Sequence, residues 1–168
     1  MKHTISVLVE NKFGVLSRVS GLFSGRGFNI ESLSVGETID PAVSLMTIIT
    51  AGDDRIIEQI TKQLNKLIDI IKVVDYMEID HVERELVLIK VSPRKSDKAE
   101  FLKLAEIFRG RIIDSGSNTF TVEITGDEKK IAAFIEIIRP YGIKEFVRTG
   151  KVAIAREGLK KKRNDSSQ

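Results

Sequence analysis

An α+β fold of two βαββαβ units in tandem is predicted by three features of the sequence. The order strand, helix, strand, strand, helix, strand can be read twice along the chain. The string Ile49-Thr50-Ala51-Gly52-Asp53-Asp54 is echoed by Ile124-Thr125-Gly126-Asp127-Glu128. The length of 168 residues accommodates two small units, each about the size at which one core leaves modest stability and association helps. This is the ferredoxin-like, or split βαβ, arrangement, whose usual spatial strand order is 4-1-3-2.

Thr4 to Glu10 sets Ile5, Val7 and Val9 on one face, the period of two that marks a strand with one covered side. The helix after Gly14 places Leu16, Val19, Leu22 and Phe23 in one stripe, and Gly25-Arg26-Gly27 stops it. Ile30 to Gly36 is a second strand in which Ser32, Ser34 and Gly36 alternate with Leu33 and Val35, leaving one side small. After the turn signal Asp40-Pro41 comes a third strand, Ser44 to Ala51. Gly52-Asp53-Asp54 then opens a helix carrying Ile56 or Ile57, Ile60, Leu64 and Leu67 at helical spacing, with aspartates placed for capping. Ile70 to Met77 completes the unit.

The second pass begins with the strand Leu86 to Val91. Ser92-Pro93 is a break, and Ser96-Asp97 starts a helix with Phe101, Leu104, Ala105 and Phe108 on one face. Arg111 to Asp114 and Thr119 to Thr125 are strands around the turn Ser115 to Asn118. Gly126-Asp127-Glu128 opens a helix bearing Ile131, Phe134, Ile135 and Ile138 and stopped near Pro140, and Ile143 to Val147 is the last strand read. The expected domains are 1–79 and 80–155, followed by a basic, disordered tail over 156–168 that includes Lys160-Lys161-Lys162-Arg163.

Composition excludes several classes of chemistry. With no cysteine and only His3 and His81, thiolate, disulfide and zinc chemistry lose their ligands. Gly25-x-Gly27 follows a helix instead of a strand and reads as a helix stop, not a dinucleotide loop. No phosphate loop and no nucleophile with a base partner occurs. His81 stands in a polar linker, where a solvated role is expected. The central strands carry Val, Ile, Met and Thr instead of the exposed aromatics on which bases stack, so no nucleic-acid partner is expected. No apolar run approaches the roughly 20 residues of a membrane span, and the Met1 end lacks the order of a signal peptide. No membrane association and a cytoplasmic location are expected.

The stretch Glu10 to Leu33 is the candidate site. Gly14 can take a positive φ and admits another molecule close to the backbone. Val15 and Leu16 begin a helix whose first N–H groups have no intrahelical partner and favour an anion such as a carboxylate. Asn11 and Asn29 flank the helix, and each amide offers two donors and an acceptor, suited to a ligand with an ammonium and a carboxylate. On pattern alone these residues describe a small amino-acid site or an ordinary turn. The second strand is at an edge in this topology, so it can pair with a second copy in a two-fold dimer and carry Asn29 to the partner's Gly14 turn.

The runs Glu10-Asn11-Lys12-Phe13-Gly14-Val15-Leu16-Ser17-Arg18-Val19 and Gly27-Phe28-Asn29-Ile30-Glu31-Ser32-Leu33 resemble the regulatory (small) subunit family of acetolactate synthase, or acetohydroxyacid synthase. So do His81-Val82-Glu83-Arg84-Glu85-Leu86 and Ile107-Phe108-Arg109-Gly110-Arg111-Ile112-Ile113-Asp114. The resemblance covers nearly the whole chain. It implies that the first domain is an ACT domain, which binds amino acids at a dimer interface, and that the protein binds the catalytic (large) subunit. It further implies feedback inhibition by valine or another branched-chain amino acid. By the same resemblance Asn11 and the Gly14 turn, with Val15 and Leu16, match the effector loop, and Asn29 with Ile30 match the strand that closes it. No catalytic residue and no metal ligand is expected. Thiamine diphosphate, flavin and magnesium would belong to the catalytic subunit, leaving this chain without cofactors. The alternative is a free-standing ACT-domain amino-acid sensor that regulates transcription or another enzyme.

Overall fold

The computed structural model describes residues 1–157. Beyond Arg156 and Glu157, the expected tail lies outside the described residues. The chain divides into two compact units, one of Met1–Val82 with the segment from Lys151, the other of Glu83–Gly150.

In the first unit β1 (Lys2–Glu10), α1 (Val15–Ser24), β2 (Ile30–Glu37), β3 (Val43–Ala51), α2 (Asp54–Leu64) and β4 (Ile70–Asp75) follow the expected order. The sheet runs β2-β3-β1-β4, the expected 4-1-3-2 seen from its other side, with β2 at an edge. Long β1 and β3 pair in unbroken antiparallel register from Lys2↔Ala51 to Glu10↔Val43. That register brings Ile5 opposite Ile48 and Val7 opposite Met46 on the face covered by the helices, where Val19, Phe23, Ile60 and Leu64 complete a dry core.

The apolar stripe of α1 differs by one residue from the expected one. Val15 is buried with Val19 and Phe23, whereas Leu16 is 44% exposed. Because the helix starts directly after Gly14, residue 15 falls on the inward side and residue 16 is turned outward, and the pattern Val-Leu is apolar in either frame. The helix ends as the glycines suggested. Gly27 has φ 73°, Phe28 N donates to Phe23 O at 3.0 Å and Gly27 N to Ser24 O at 3.1 Å, the paired bonds of a left-handed C-terminal cap. Asp53 caps α2 by accepting from Ile56 N at 2.9 Å.

The second unit repeats the plan with β5 (His81–Val91), α3 (Lys98–Ile107), β6 (Arg111–Ser115), β7 (Phe120–Gly126), α4 (Glu128–Ile138) and β8 (Ile143–Arg148), in sheet order β6-β7-β5-β8. Val87, Ile89 and Val91 of β5 face Phe101, Val122, Ile131 and Phe134 in its core. The echo in sequence is an echo in structure, since Asp127 accepts from Lys130 N at 2.9 Å as Asp53 does from Ile56. A short strand not foreseen, β9 (Val152–Ala155), pairs with β5. The polar stretch before Leu86 is strand from His81 onward, so His81 lies in a strand and not in a linker. Its ring stacks on Tyr76 with centroids 4.9 Å apart.

Candidate functional site

β1 ends at Glu10 and the chain must reverse into α1 within four residues. Asn11 N donates to Ala42 O at 2.7 Å, which ties the turn to the loop between β2 and β3. Gly14 makes the reversal with φ 80° and ψ −3°, a left-handed conformation that a residue with a Cβ adopts only under strain. No side chain caps α1. Val15 N reaches Lys12 O at 3.4 Å and Arg18 N reaches Gly14 O at 3.0 Å, while Leu16 and Ser17 N–H, between them in the first turn, have no backbone acceptor among the described residues. Two amide donors at the positive end of a helix dipole are therefore presented beside a glycine, with the exposed Phe13 and Leu16 side chains flanking them.

A charged pair unforeseen from the sequence braces this turn. Arg18 Nη2 donates to Asp69 Oδ2 at 2.5 Å, and the nearly buried Asp69 also accepts Glu10 N on its carbonyl at 2.9 Å. A Cβ on Gly14 would lie 3.3 Å from Arg18 Nη1. On the outer side Lys12 Nζ bonds Glu10 Oε2 at 2.6 Å, and that bond and charge hold the lysine above its ordinary pKa.

The six expected effector residues separate into two groups. Asn11, Gly14, Val15 and Leu16 lie together at the end of the sheet where β1 stops. Val15 is buried, so only its backbone is available there. Asn11 is held by its own chain, its Nδ2 donating to Glu37 Oε1 at 3.1 Å and to Pro41 O at 2.9 Å. Both donors of the amide are engaged, which fixes its orientation and turns Oδ1 into its remaining polar group. Asn29 and Ile30 lie at the other end. Ile30 is opposite Thr50, whose Oγ1 donates to Asn29 O at 2.8 Å, and Thr50 is opposite His3. From His3 to Glu10 a strand advances about 23 Å, so within one chain the two groups cannot touch one ligand.

The equivalent turn of the second unit is built otherwise. Pro93 is buried there, Ser92 N donates to Gly142 O at 2.9 Å, and a 3₁₀ turn at Lys95–Asp97 precedes α3. It has no glycine between the strand and the helical turn.

Among the described residues no helix is long and apolar enough to cross a membrane. Comparison with known proteins matches residues 5–72 to a family model for the AHAS small subunit-like ACT domain, and residues 84–157 to one for the small subunit of acetolactate synthase. The acetolactate synthase small subunit of Aquifex aeolicus is 52% identical over 98% of this chain and 86% of its own length. A probable acetolactate synthase small subunit of Archaeoglobus fulgidus is 57% identical over 95% of this chain and all of its own length. The crystal structure of the small subunit from Thermotoga maritima superposes with a TM-score of 0.86 at 44% identity, covering 95% of this chain and 99% of that one.

Removing the brace should loosen the turn without destroying the unit. Arg18→Ala leaves the Asp69 carboxylate short of its charged donor, and because the guanidinium is about half exposed the expected loss is about 1–2 kcal/mol. Urea denaturation checks this, and an unchanged midpoint would show that the pair carries no weight.

Proposed function

This chain belongs to the acetolactate synthase small-subunit family, and from that premise we propose that it is the non-catalytic regulatory subunit, which activates the catalytic subunit and makes it subject to inhibition by valine. The observation that carries the reading is the Gly14 turn, where two helix amides and a left-handed glycine offer a cradle for a carboxylate. Asn11, positioned by Glu37 and Pro41, offers an amide oxygen to the ammonium of the same ligand.

The second half of the site is supplied by another copy. Antiparallel pairing of two β2 edges about a two-fold axis through the middle of the strand carries Asn29 of one copy toward the Asn11–Glu37 bond of the other. The small residues Ser32, Ser34 and Gly36 share one face of that edge, where they lie opposite Ile49, Thr47 and Leu45 of β3, and leave room for approach. A branched-chain side chain fits between the exposed Leu16 of one copy and Ile30 of the other. A ligand so placed touches two protomers at once and biases their relative orientation, which gives the catalytic partner something to sense.

Two outcomes test this reading. Gly14→Asp puts a carboxylate where the ligand's would lie, beside Arg18, and should weaken valine at least tenfold through loss of charge-assisted hydrogen bonds worth about 1.5–3 kcal/mol each. Calorimetry on the parent chain should find one valine site per chain, none in the second unit. An unchanged affinity in a folded Gly14→Asp protein, or two sites per chain, contradicts the assignment. In reconstitution, the purified chain alone should form no acetolactate, while adding it to the catalytic subunit should raise activity and introduce sensitivity to valine. Turnover by the chain itself, or no effect on the catalytic subunit, would refute the regulatory role.

A further inference from the structure

The edge strand of the second sheet, β6, is exposed along its whole length. It reads Arg111-Ile112-Ile113-Asp114-Ser115, and its outer backbone groups face no other strand among the described residues. Ile112 is 37% and Ile113 49% exposed, with Ile107 exposed at the end of the helix that leads into the strand. The strand carries neither lysine nor proline, and its two charges are of opposite sign, Arg111 and Asp114.

The strand is complementary to itself. When two copies run antiparallel with positions 111 and 114 opposite each other, Arg111 meets Asp114 and Ile112 meets Ile113, twice over, about a two-fold axis. Shifting the register by one residue in either direction sets a charge against an isoleucine. The faces agree as well. Arg111 points to the side of Glu123, to which its Nη2 donates at 2.7 Å, and Asp114, opposite Thr121, falls on that same side by strand alternation. Between them the register slips, two steps on β6 matching one on β7. Such a bulge turns Ile113 to the side of Ile112, opposite Val122. Charges thus line one face of the paired edge and isoleucines the other. Asp114 has no side-chain partner among the described residues, and Arg111 retains donors beyond those given to Glu123.

We infer that β6 is an interaction surface for a second copy of this chain, joined strand to strand with Arg111 of each copy bound to Asp114 of the other. The inference is independent of the effector site, since none of its residues lies on this strand. The chain lacks cysteine, so Arg111→Cys/Asp114→Cys tests the register directly. Oxidation should give a covalent dimer with disulfides mapping between positions 111 and 114, which are too far apart along one extended strand to join within a chain.

Charge reversal tests the pairing. R111D and D114R each set like charges opposite one another at two symmetric places and should each weaken self-association roughly tenfold or more in sedimentation equilibrium. Combined in one chain they should restore it. D114R disturbs no bond of the described chain, so its effect reports on association alone. Failure of the cysteines to join copies overturns the inference, and so does a double variant as weak as either single one. Reversals that change only binding to the synthase catalytic subunit would assign β6 to that partner and equally overturn it.

Discussion

β1 and β2 both run antiparallel to β3, so they are parallel to each other, and α1 must return from the end of one to the start of the other. Everything proposed about the site depends on that constraint. The Gly14 turn stands at one end of the sheet and Asn29 at the other, and α1 with its caps spans the distance between them. No adjustment of side chains brings both ends to one small ligand. A site that uses both must take them from two chains, and the edge position of β2 supplies the means.

The two units share one plan and differ in local chemistry. Each has the same strand order and the same aspartate cap on its second helix. They diverge at the first turn, where a left-handed glycine and open amides in one unit correspond to a buried proline in the other. They diverge again after the first helix. Both helices close with the same paired bonds, but the left-handed position is Gly27 in the first unit and Arg109, at φ 55°, in the second. A side chain in that conformation costs on the order of 1 kcal/mol. Gly110 next to it has no alternative, since a Cβ there would lie 2.9 Å from Val122 Cγ1.

Local signals in the sequence were strong enough to read the elements, the repeat, the helix caps and the edge position of β2, because strand alternation and aspartate or glycine punctuation act over a few residues. Gly14 stood out for the same reason. What the sequence did not disclose depends on partners far along the chain. Arg18 reads as a surface residue until Asp69, 51 positions away, is found against it. The donors of Asn11 read as free until Glu37 and Pro41 are brought to them. Leu16 and Val15 are equally apolar, and only the exact start of α1 decides which is buried. β9 is four residues long and takes its identity from its pairing with β5.

The proposal that two copies share each site is tested most directly by mixing two defective chains. Gly14→Asp spoils the turn and Asn29→Ala spoils the closing strand, so homodimers of either should bind valine poorly. A mixed dimer contains one site with both defects and one with neither. Calorimetry after exchange of subunits should therefore recover about one site of parent affinity per mixed dimer. No recovery on mixing, with exchange shown by mass spectrometry, or full valine affinity in a monomeric chain, would contradict a site shared between two copies.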